Sequence, residues 1–176
     1  MRPKGVISVA NVEITDSAAF ADYWQKIRAR TRRVVDCIPE DRFDWSQRDG
    51  SWSPADLIRH LASIERWMFA ENARRLPSRY PGCGSSLADG APAVKAYMDR
   101  LHAESVEIFA SLSADDLNAK CETPGGIRIT VWKWLRAMVE HEVHHRGQIY
   151  FILGNLGVET PSLYGLTEEE VEARSV

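Results

Sequence analysis

Residues 130–157 constrain the fold of this chain more than any other stretch. Trp134, Met138, His141, His145, Ile149, Ile152 and Leu156 are spaced by threes and fours, so on an α-helix they form one stripe. At 1.5 Å per residue such a helix is roughly 40 Å long. In a chain of 176 residues, other long helices laid alongside are what can cover it. Three segments are suited to this. Residues 16–37 carry Phe20, Tyr23, Trp24, Ile27, Val34 and Val35 at helical spacing. Ser53, Pro54 and Asp56 form a helix start, with an N-cap, a first-turn proline and a capping-box acid. That helix is predicted to run to about Arg75. A third spans about 92–112, with Val94, Tyr97, Met98, Leu101, Val106 and Phe109 facing inward. The expected fold is all-α, a four-helix bundle in one domain over residues 1–176.

The connections are legible too. "LPSRYPGCGSSLADGAP" is rich in helix breakers, and "CETPGGIRI" suggests a loop or small hairpin. Gly157 suits the position just past a helix end. "GVISVANVEI", residues 5–14, reads as a strand-like segment within an N-terminal extension, residues 1–15. "PSLYGLTEEEVEARS" closes the chain as a turn and a charged tail.

Charge and cysteine content exclude several functions. A net charge of −3 and a pI near 6.0 argue against a nucleic-acid surface, which needs clustered excess Lys and Arg. The one basic cluster, "KIRARTRR" at 26–33, reads as the solvated face of a helix. No apolar run is long enough to span a bilayer and no secretory signal is visible, so the expected compartment is the cytoplasm. Cys37, Cys83 and Cys121 are scattered and resemble neither a disulfide framework nor a thiolate metal site.

The histidines stand out against this background. His141 and His145 lie inside the buried stripe of the last helix, with His144 at its edge. His60 lies on the matching stripe of the second helix, with Leu57, Ile64, Trp67 and Glu71. His102, off the apolar stripe of the third helix, is expected to be exposed. Imidazoles at i and i+4 stand one above the other. A third from a facing helix completes a three-nitrogen face, with the cation's other positions left to water or a ligand. The competing reading is three hydrogen-bonded core histidines. Burying an imidazole without a partner costs on the order of 1–3 kcal/mol, and spacing alone leaves the two readings open.

"HEVHHRGQIYFILGNLGV" followed by "PSLYG", together with "DWSQRDGSWSPADLIRHLASIERW", resembles the last and second helices of the DinB/YfiT-like family of metal-binding four-helix bundles. The resemblance covers about residues 18–165. It implies four helices with a long crossover and a site for a divalent metal such as nickel, zinc or manganese. Its ligands would be His60, His141 and His145. It also implies a homodimer acting on a small-molecule substrate, and relatives that include thiol-dependent S-transferases. The N-terminal segment has no counterpart in that pattern.

Around the histidines, Gln148 is placed to accept the free N–H of a ligand histidine. Glu71, on the His60 stripe, is the candidate acceptor or proton carrier. Glu65 and Glu142 are expected to be solvated, Arg146 to be a surface cation or ion-pair partner, and Gly147 to permit a close approach of another element. The expected function is metal-dependent transfer using a low-molecular-weight thiol. Metal-assisted hydrolysis and a non-catalytic metal- or ligand-binding module are the alternatives.

Overall fold

The computed structural model describes residues 13–175. The strand-like segment expected at 5–14 lies almost wholly outside that range. Helix α1, Ser17–Val35, begins where the Asp16 carboxylate accepts the Ala19 N–H at 3.0 Å. Helix α2, Pro54–Ile64, starts in the expected capping box of Ser53 and Asp56. It continues through a π-helical turn, Glu65–Phe69, into α3, Ala70–Ala73, as one rod. Helix α4 is Ala91–Ala110 and α5 a single short piece, Ala114–Asn118. The "TPGG" stretch turns β1, Lys120–Glu122, onto β2, Arg128–Thr130. Helix α6 is Val131–Asn155. It closes in a Schellman motif: the Val158 N–H reaches the Leu153 carbonyl at 2.9 Å and Gly157 takes a φ of 68°, which glycine adopts without penalty. The C-terminal stretch is not only a tail. Thr167 and Glu170 form a capping box that starts α7, Glu168–Arg174.

Each long rod packs against two others: α1 against α4 and α6, and the α2–α3 rod against the same pair. Sequential rods α1 and α2 therefore sit across the diagonal, and residues 36–53 make the long crossover. The apolar core comes in two parts. One gathers Val34, Phe43, Leu57, Ile58, Met98, Leu101, Ile149 and Leu153. The other gathers Phe20, Trp24, Ile27, Phe69, Phe109, Leu135 and Met138. Buried polar residues are interspersed: Arg28, Thr31, Ser63, Glu65, Ser105 and Glu142. Among the described residues, no helix is long and apolar enough to cross a membrane.

The basic cluster departs from expectation. Arg28 turns inward and is 4% exposed, Arg32 pairs with Asp99 at 3.0 Å, and the Arg33 guanidinium donates to the Ser162 carbonyl. A solvated face accounts for only part of it.

Candidate metal centre

Two different rods deliver the imidazoles. His60 sits in the second turn of α2, and His141 and His145 occupy successive turns of α6. The Nε2 atoms of His60 and His141 are 3.0 Å apart, and those of His145 and His141 are 3.1 Å apart. The three ligand atoms all lie within 4.8 Å of one another. Nitrogens each about 2.05 Å from one cation stand about 2.9 Å apart at a right angle and about 3.35 Å apart at the tetrahedral angle. The two measured separations fall inside that interval.

The far side of the rings fixes which nitrogen faces inward. The Gln148 carbonyl oxygen lies 2.6 Å from His145 Nδ1, and a carbonyl only accepts, so Nδ1 carries the proton and Nε2 a bare lone pair. The Tyr80 hydroxyl lies 2.8 Å from His60 Nδ1 and accepts from it in the same arrangement. His141 Nε2 could then donate to only one of its two neighbours. A cation among the three nitrogens removes this mismatch, so the donor set fits a divalent metal.

Burial keeps the rings neutral. Desolvation, then the charge of His145, lowers His60 from 6.5 to about 4. Desolvation, then His145, His60, His144 and Arg28, lowers His141 to about 3. Desolvation also lowers His145, against the opposing Gln148 hydrogen bond. Neutral imidazole is the form that binds metal. Trp52 lies over two of the rings, 4.8 Å from His60 and 6.0 Å from His145 by centroid. Phe69 lies 6.0 Å from His141.

A second cluster of charge crosses the bundle. The Glu65 carboxylate accepts from Trp24 Nε1 at 2.6 Å, from His102 Nδ1 at 2.9 Å, and from the Arg28 guanidinium. Glu142 faces Arg28 at 3.4 Å. Burial works to raise the Glu65 carboxyl, but Arg28, His102 and Trp24 outweigh it and leave it below the usual range. For Glu142 burial wins over Arg28, and the carboxyl is raised. Both glutamates, expected in solvent, are 1% exposed. His102, also expected in solvent, is half-buried against Glu65 and Trp24. Arg146 is likewise buried and donates to the Tyr164 hydroxyl at 3.2 Å.

Glu71 is not brought to the histidines. Its carboxylate is held by Arg66 at 2.5 Å, with Arg74 at 3.9 Å, and it is absent from the metal-capable group found among the described residues. The π-helical turn is the reason. It adds one residue between His60 and Glu71, which rotates everything after it by about 100° relative to an unbroken α-helix. No sequence pattern announced that turn, and none announced Tyr80, which reaches His60 from the breaker-rich loop.

Two cavities matter for placement. The larger, about 790 Å³, lies between the Arg75–Ser78 turn and the hairpin and includes none of the three histidines or their hydrogen-bond partners. A second, about 490 Å³, is bounded by Trp52, His144 and Gln148 and adjoins the centre.

Comparisons with known proteins agree with this architecture. The model of a family described as the DinB superfamily matches residues 23–149. A DinB-like protein from Bacillus cereus superimposes with a TM-score of 0.68 at 17% identity, over 82% of this chain and 95% of that one. The DinB-like protein YjoA from Bacillus subtilis gives 0.68 at 16%, over 82% and 97%. YfiT from Bacillus subtilis, described as a probable metal-dependent hydrolase with an unusual four-helix bundle topology, gives 0.65 at 18%, over 90% and 95%. At these identities the likeness speaks for the fold. No curated protein matches the chain.

Proposed function

Since this chain belongs to the DinB superfamily, we propose that it is a divalent-metal-dependent transferase that uses a low-molecular-weight thiol. The observation that carries the reading is the convergence of three neutral imidazoles, two of them with Nδ1 held by an oxygen. His60, His141 and His145 would hold the ion, nickel, zinc or manganese. Gln148 and Tyr80 keep their lone pairs aimed inward. Trp52 and Phe69 limit access of water to the rings. Bound there, a divalent cation would supply Lewis acidity, lowering the pKa of a coordinated acid by several units and fully deprotonating a coordinated thiol.

The choice of nucleophile follows from Glu71. With its carboxylate engaged by Arg66, it is not positioned as a general base for water. A thiol needs less help, since its ordinary pKa is about 8.5 against about 15.7 for water. Metal-assisted hydrolysis is the second reading, supported by the description of YfiT as a probable metal-dependent hydrolase.

The test uses untagged protein loaded with each metal, a panel of cellular thiols and the chromogenic electrophile 1-chloro-2,4-dinitrobenzene. Thiol-dependent turnover above the spontaneous rate, lost on chelation, is expected. Turnover without thiol would replace transfer by hydrolysis. Full metal stoichiometry in His145→Ala would refute the ligand set.

A further inference from the structure

We propose that the cleft between the 45–52 connection and α6 binds an uncharged, planar aromatic group of the substrate and presents it to the three histidines. This deepens the metal-centre reading and rests on it for the orientation of the ligand. The cleft holds about 490 Å³, within the range of small-molecule sites. It is continuous with the centre. Trp52, on its wall, lies 4.8 Å from the His60 ring, and Gln148, also on its wall, is the hydrogen-bond partner of His145.

Its chemistry selects the occupant. No Asp, Glu, Lys or Arg lines it, so nothing there compensates a carboxylate or phosphate removed from water. Trp45, Trp52 and Phe151 supply aromatic surface. Phe151 is 64% exposed and Trp52 44% exposed, so these large rings are left partly uncovered beside the site. Aromatic surface of this kind favours a flat apolar partner, by offset stacking or edge-to-face contact. Polar groups from Gln47, Ser51 and His144 can orient one neutral substituent.

Gly147 carries the argument further. The sequence suggested that it lets another element approach closely. Instead, a Cβ built there meets no atom within 4 Å. It lies in the interior of α6, where glycine is the least favourable residue after proline. In this structure the missing side chain leaves room in the cleft wall.

Benzohydroxamate and acetohydroxamate share one metal-chelating group and differ in phenyl against methyl. Titrated calorimetrically into the metal-loaded protein, benzohydroxamate should bind at least about tenfold more tightly. Gly147→Leu, which fills the cleft, and Phe151→Ala, which removes an exposed ring, should each shrink that ratio while elemental analysis finds the metal content unchanged. A ratio near one in the wild type with metal bound overturns the cleft and leaves the metal centre standing. So does a tenfold ratio that neither variant alters. If the protein takes up no metal, the metal-centre reading fails, and 2-naphthol quenching of tryptophan fluorescence decides the cleft separately. Saturable quenching that is lost in Gly147→Leu supports an aromatic site, and its absence overturns it.

Discussion

Replacing Arg28 with Met leaves two carboxylates in the bundle interior without their cation. Glu65 and Glu142 are each 1% exposed, and Arg28 itself 4%. Breaking a buried ion pair from one side costs roughly 3–5 kcal/mol. The lower part of that range applies here, because Trp24 and His102 still donate to Glu65. The expected loss is about 3–4 kcal/mol, or roughly 6–16 °C in Tm for a domain of this size. The assay is urea and thermal unfolding of metal-free protein, which removes any contribution from metal binding. A control is Arg32→Met, whose pair with Asp99 is 28% and 55% exposed by side chain. It should lose less than about 1 kcal/mol. The pH dependence provides a second check. With the cation gone, burial raises both carboxyls above their unfolded values, so the folded state binds more protons than the unfolded one. Stability of the variant relative to wild type should therefore recover as pH falls toward 4. Adding Glu65→Gln and Glu142→Gln to the variant should restore part of the loss at neutral pH. If Arg28→Met is as stable as wild type within about 1 kcal/mol, or the gap widens on acidification, the reasoning about the buried network is wrong.

Tyr80→Phe removes the oxygen held 2.8 Å from His60 Nδ1 and should weaken metal binding about 10–100-fold without changing the circular dichroism spectrum; unaltered affinity in a chelator competition would show that the hydroxyl does not orient the ring. Glu71→Gln should lower Tm, through the weakened Arg66 pair, and leave metal stoichiometry and kcat within about threefold; a hundredfold loss of kcat at full metal loading would return Glu71 to the chemistry. In metal-free protein His60 is lowered from 6.5 to about 4 and His141 from 6.5 to about 3. The unfolded chain therefore takes up protons first, and the stability these groups confer is present above pH 6.5 and lost as pH falls toward 4. Unfolding at pH 7, 6, 5 and 4 measures this, and in His60→Asn the decline should be shallower.

The helices were legible because their signals are local. Capping at Ser53 and Asp56, the stripe from Trp134 to Leu156 and the glycine at 157 each act over a few residues, and each element formed where those residues put it. The core-facing places of His60, His141 and His145 were legible for the same reason, since periodicity tells which side of a rod a residue occupies. What the sequence could not show is what stands opposite. Glu65, Glu142 and Arg28 look like surface charges on a helical wheel, and they are buried because three separate rods bring them to one another. The π-helical turn at Glu65–Phe69 has no sequence pattern of its own here, yet it moves Glu71 away from the histidines.

By itself, then, the sequence determined the rods, their inward sides and the histidines on them, all set by hydrogen bonding and side-chain spacing within one segment. Only the tertiary structure decided that Tyr80 meets His60, that Gly147 borders open space and that Arg28 neutralises the interior. Those contacts join residues 20 to 114 positions apart, and their free energies depend on packing between rods that no single segment contains.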